Sequence, residues 1–155
     1  MSAFDPTSFL DATTTEANTR RPPLPAGMDF VAIIGEPKSR AWQGKKDPTQ
    51  SGIAIDLPLE INLEAYPDVK AQLGGGVTKI LLTDSIMLDL TPAGTIDNSP
   101  GKNGKLRRYR ESLEMNNPGE PFSFRMMQGR TLKVKVKHET YEGEILDKVD
   151  TVAKA

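Results

Sequence analysis

The clearest pattern along the chain lies in its middle, where Ile53, Ile55, Leu57, Leu59, Ile61 and Leu63 alternate with Ala54, Asp56, Pro58, Glu60 and Asn62. Successive side chains of an extended strand point to opposite faces, so this alternation predicts a strand with one oily side. Pro58 lacks an N–H to donate and predicts an edge position or a local break in pairing. Upstream, Asp29 to Trp42 reads as a first long strand carrying the β-branched Val31, Ile33 and Ile34. Gly35 and Pro37 suggest a bulge or an edge there. A third strand is predicted over Lys79 to Leu90, with Ile80, Leu82, Ile86, Leu88 and Leu90 on one parity and a bend at Thr83-Asp84-Ser85. Glu64 to Gly76 reads as irregular or a short helical excursion ending in three glycines.

Further on the period changes. Leu106, Tyr109 and Leu113 fall at helical spacing and predict a helix over Lys105 to Met115, stopped by Asn116-Asn117-Pro118-Gly119. Pro121 can open a second short helix carrying Phe122, Phe124, Met126 and Met127, closed by Gly129. Strict alternation then returns: Leu132, Val134 and Val136 against Lys133, Lys135 and Lys137. A last strand is predicted over Gly143 to Val152. Strand, strand, strand, helix, strand, strand is the order of the OB-fold. The expectation is therefore a mainly β chain folded as an OB-fold-like, five-stranded Greek-key barrel with one helix between strands 3 and 4. Residues 28–155 would form it. Residues 1–27, with Asp11-Ala12-Thr13-Thr14-Thr15 and Arg21-Pro22-Pro23-Leu24-Pro25, read as a flexible N-terminal arm that Phe4, Phe9 and Leu10 could dock onto a neighbour or its own domain.

Composition narrows the function classes. A chain of 155 residues is most economically one domain. The absence of cysteine excludes disulfides and thiolate-ligated metals, and the single His138 excludes a multi-histidine site. No apolar run approaches a membrane span and no secretory signal opens the chain, so a cytoplasmic protein (host cytoplasm for a viral one) is expected. The formal net charge is −1, yet Gly101 to His138 holds ten basic residues against three acidic ones. A near-neutral total that hides a basic segment points to an anionic partner.

Single-stranded nucleic acid is gripped by cations along its phosphates and by aromatic faces against its bases. The first strand and its following loop supply both, in Lys38, Arg40, Trp42, Lys45 and Lys46. Arg40 and Trp42 share a parity. Arg107 and Arg110 lie on one side of the predicted helix, with Arg108 beside them, and Lys133, Lys135 and Lys137 form a row. Tyr141, in the turn between the last two strands, is a second candidate base platform opposite Trp42. Each has a plainer reading: Trp42 as a ring capping the core, the lysine row as a solvated face that discourages edge-to-edge pairing. Phe122 and Phe124 read as core. Asp84, Asp89 and Asp97 fit no metal-binding loop, Gly74-Gly75-Gly76 lacks the lysine of a phosphate loop, and neither Ser85 nor Ser99 has an evident histidine partner. No catalytic constellation emerges, and no metal or cofactor is expected.

The run Met127-Gln128-Gly129-Arg130-Thr131-Leu132-Lys133-Val134-Lys135-Val136-Lys137-His138-Glu139-Thr140-Tyr141-Glu142-Gly143 resembles the end of OB-fold single-stranded-DNA-binding-like proteins of tailed phages. There a glycine starts a strand that turns through an aromatic-X-Gly step into the final one. Gly27-Met28-Asp29-Phe30-Val31-Ala32-Ile33-Ile34 looks like their first strand. The resemblance implies support of replication or recombination on single-stranded DNA, largely independent of sequence, with no cofactor and with replication or recombination enzymes as further partners. It does not extend to the strongly acidic tail many of them carry, because Asp147 to Ala155 is only weakly acidic. The rival expectation is a structural or interaction protein, a phage accessory or virion component, that self-associates through its arm and barrel.

Overall fold

The computed structural model describes residues 5–155. Phe4, expected to help dock the arm, lies outside the described residues. The first expected strand divides in two, β1 (Asp29–Ile34) and β2 (Lys38–Gln43), and both run antiparallel to the long β3 (Ser51–Asn62). The division has a local cause. The Gly35 N–H donates to the Pro58 carbonyl at 2.8 Å, and a side chain at Gly35 would meet the Pro58 ring at 2.9 Å. Pro58 falls between Leu59, paired with Ile34, and Asp56, paired with Lys38. The residue that cannot donate thus sits where its neighbour strand breaks. Pro58 marks a break in pairing and not an edge, since β3 is paired on both sides.

On its other side β3 pairs with β4 (Lys79–Met87) from Ala54 to Asn62. Helix α1 (Pro67–Gln72) joins the two strands, following a single 3-10 turn at Leu63–Ala65. A long loop leads from β4 to helix α2 (Gly104–Ser112), and a 3-10 turn at Phe124–Met127 precedes β5. The expected bend at Thr83-Asp84-Ser85 is absent: β4 pairs with β3 without a break through all three, and Asp84 falls on the buried parity. Strands β5 (Thr131–Tyr141) and β6 (Glu144–Ala153) form a hairpin whose turn residues Glu142 and Gly143 have φ of 49° and 78°, the positive values a two-residue type I′ turn requires. β5 returns to pair with β1, Lys133 opposite Val31.

The result is a mainly β, six-stranded antiparallel sheet ordered β2-β3-β1-β5-β6, with β4 on the far side of β3. Six strands replace the expected five because the first is split. No hydrogen-bonded ladder joins β4 to β6 among the described residues. They come close, with α2 packed against β6.

Alternate positions on the strands build the core: Phe30, Ala32 and Ile34; Ile55, Leu57, Leu59 and Ile61; Ile80, Leu82 and Ile86; Leu132, Val134 and Val136. Of the β-branched residues expected to mark the first strand, only Ile34 is buried; Val31 and Ile33 point outward. Helix α2 adds Leu106 and Tyr109. Phe122 and Phe124, expected in the core, only flank it, edge to face at 5.5 Å. Leu24, upstream of the expected domain boundary, is a fully buried core residue. Its N–H donates to Asp147 at 2.9 Å and its carbonyl accepts from His138 Nε2 at 2.6 Å, while Arg21 pairs with Asp147 at 2.6 Å. Residues 5–20 are exposed, with one 3-10 turn at Pro6–Leu10 capped by Asp5. No helix among the described residues is long and apolar enough to cross a membrane.

Candidate nucleic-acid interface

Residues directly opposed across an antiparallel ladder share a face. Lys38, Arg40 and Trp42 oppose Asp56, Ala54 and Gly52, while Ile55 and Leu57 point to the core. The first group therefore lies on the outside of the sheet. Trp42 is half-buried and does not belong to the core cluster. Its indole lies against Gly52, where an added Cβ would stand 2.9 Å from Nε1 and 3.1 Å from Cζ2. Only glycine leaves room for the ring to lie down on β3. The indole N–H, closed off from solvent, has no hydrogen-bond partner.

Around this ring the cations are held in different ways. Arg40 Nε donates to Asp56 at 2.9 Å, and Ser85 Oγ on β4 donates to the same carboxylate at 2.5 Å. The Ser85 hydrogen bond, with the Arg40 bond and charge, outweighs slight desolvation and holds the Asp56 carboxyl below its ordinary range. Arg40 is thus fixed across the strands. Met87, exposed and opposite Ala54, adds an apolar step beside Arg40.

Lys45 and Lys46 stand exposed in the β2–β3 loop, which is tightly made. Gly44 N–H donates to Gln50 O at 2.7 Å, Gln43 Nε2 to Pro48 O at 2.7 Å, and Asp47 accepts from the Thr49 hydroxyl and N–H. Those two bonds lower the Asp47 carboxyl. A Cβ on Gly44 would strike the Asp47 carbonyl at 2.5 Å, so this turn too requires glycine.

The lysine row is on the same outer side but further along. Lys135 opposes Asp29, and Lys133 opposes Val31, seven residues before Lys38, or roughly 23 Å of strand. Lys137 opposes Lys148 and pairs with Glu139 at 3.2 Å. Arg107 and Arg110 lie elsewhere, on α2, lining a cleft with Lys102. Tyr141, 64% exposed, stands at the hairpin tip beside Glu142 and Glu144, an acidic setting. From Asp29 the strands lead to it in the direction opposite to Trp42, and no strand pairing joins the two rings. The structure thus gathers Lys38, Arg40, Trp42, Lys45 and Lys46; sets Lys133, Lys135 and Lys137 on the same side; and leaves Arg107, Arg110 and Tyr141 apart.

Several contacts were not legible in the sequence. The Asp147–Arg21–Leu24 anchor spans more than a hundred residues. Asp84 accepts from Tyr109 Oη at 2.5 Å and Lys105 Nζ at 2.7 Å, tying α2 to β4. Burial, then the Asp84 charge and hydrogen bond, push the Tyr109 hydroxyl far upward, so it remains a proton donor. The one sequence signal was an aspartate on the inward parity of β4. No protein-family model matches the chain, and no curated protein matches it.

Proposed function

We propose that this chain is an OB-like barrel that holds single-stranded DNA with little sequence preference, in support of replication or recombination. The connectivity supports the fold: a bent first strand, a three-strand meander, a helix, and a hairpin returning to the first strand. The observation that carries the function is the Trp42 indole laid against Gly52 outside the core, on the same strand face as Lys38 and Arg40 and just before the loop that exposes Lys45 and Lys46. An exposed ring face stacks on any base, and nearby cations track the phosphates on either side. Lys133, Lys135 and Lys137 extend the cationic path along β5.

The test is a titration with oligo-dT followed by Trp42 fluorescence at several salt concentrations. Four to seven phosphate contacts give a log–log salt slope of about −3 to −5 for a single strand. A titration that shows no quenching and no salt dependence would remove the reading. A second reading, assembly through arm and barrel, is favoured by Phe9 and Leu10, 62% and 86% exposed on the arm. A defined oligomer in light scattering that is lost when residues 1–19 are deleted, together with no oligonucleotide binding, would establish it instead.

A further inference from the structure

The loop after β4 and the turn after α2 enclose a cleft of about 660 Å³ that shares no residue with the β2–β3 face. It falls within the range of small-molecule sites, roughly 300–1,000 Å³. Three cations reach it: Lys102 from the loop, and Arg107 and Arg110 three residues apart on one side of α2. Asp97 and Glu120 also line it, but both are engaged. Asp97 accepts from the Ser99 N–H and hydroxyl, and Glu120 accepts from Asn117 Nδ2 at 3.1 Å.

Arg110 is unusually constrained. Its Nε donates to the Met115 carbonyl at 3.1 Å, and its guanidinium lies over the Phe122 ring, 4.4 Å from the centroid. Among the described residues no carboxylate pairs with it, and its terminal nitrogens have no hydrogen-bond partner. The plane is fixed at one edge and on one face, leaving two parallel N–H donors with a set direction. That fork matches the spacing of two phosphate oxygens, and a side chain already ordered loses little entropy on binding. Arg107, held only loosely to Glu111 at 3.8 Å, can swing to a third oxygen.

We propose that this cleft is a phosphate-binding site, with the Arg110 fork as its principal donor and Arg107 and Lys102 as supporting cations. The phosphate comes either from a polynucleotide or from a free nucleotide. The site goes beyond the single-strand reading and stands or falls separately from it.

The experiment follows the side-chain Nε–Hε resonances of Arg107 and Arg110 by NMR on the full chain. Inorganic phosphate is titrated at constant ionic strength, with chloride as control. Expected are saturable shifts of both resonances, and binding at least about tenfold weaker in Arg107→Gln and in Arg110→Lys, the loss of about one charge-assisted bond. Arg107 is exposed, so Arg107→Gln should keep its melting temperature, which separates binding from folding. Linear shifts that chloride reproduces, or an Arg107→Gln variant binding as tightly as the parent, would overturn the site. Tighter saturation by oligo-dT than by thymidine monophosphate assigns the phosphate to a polynucleotide, and the reverse order assigns it to a nucleotide. Saturation by phosphate while oligo-dT leaves Trp42 fluorescence unchanged would uphold the cleft and remove the single-strand reading.

Discussion

Replacing Gly52 with alanine tests whether the Trp42 platform depends on a flat seat. The new methyl group would lie 2.9 Å from Nε1, 3.0 Å from Cε2 and 3.1 Å from Cζ2. Comfortable separations are about 3.5–4.0 Å, so the ring must rise by roughly 0.5–1 Å. Three atoms of one ring edge are struck together, which a small tilt does not relieve. Overpacking of this kind costs about 1–3 kcal/mol, and removing a glycine from a strand returns about 0.5–1 kcal/mol. The expected net loss is about 0–2.5 kcal/mol, a fall in melting temperature of at most about 10 °C for a domain of this size. Stability is therefore the weaker readout.

The sharper one is the indole itself. Its N–H, now closed off without a partner, meets water once lifted. Emission should shift to longer wavelength, acrylamide quenching should rise, and oligo-dT should bind at least about threefold more weakly as part of a stack worth about 1–3 kcal/mol is lost. A folded Gly52→Ala protein with unchanged emission, quenching and oligonucleotide affinity would refute the seat and the platform built on it.

Three further outcomes follow from the packing. Leu24→Ala, although outside the expected domain, should cost about 2–5 kcal/mol in urea denaturation; a loss no larger than that of an exposed site would detach the segment from the core. Tyr109→Phe leaves the Asp84 carboxylate with Lys105 as its only side-chain donor and should cost about 1–3 kcal/mol, so an unchanged denaturation midpoint would deny that bond any weight. At Asp147 burial works to raise the carboxyl, but the Arg21 bond and charge with the Leu24 N–H outweigh it and hold it below its ordinary value. A lowered folded-state pKa contributes stability that is full above the unfolded value of about 3.9 and is lost as pH falls through the folded one. Asp147→Asn should therefore destabilise the protein near neutrality and flatten its loss of stability below about pH 4; an acid limb as steep as the parent's would contradict this.

The alternation of Ile53 to Ile61 and of Leu132 to Val136 was sufficient to place both strands and their buried faces. A period of two admits only one oily side, and that property is local. Helix α2 followed from Leu106, Tyr109 and Leu113 for the same reason, at the period of 3.6. The cation-rich segments around Trp42 and Lys133 were equally visible in the order of residues. What that order could not state is which groups share a surface and which residues hold the ends together. Gly52 becomes the seat of an indole only when β3 pairs with β2 in one register. Leu24 becomes core only when Asp147 and His138 arrive from the far end of the chain. Arg107 and Arg110 are separated from the β2 face, and Tyr141 from Trp42, by a pairing order that no neighbouring residues encode. Periodicity is fixed by bonds between adjacent residues, whereas register and long-range charge pairing are fixed by the closing of the whole sheet around one core, so only the tertiary structure decided them.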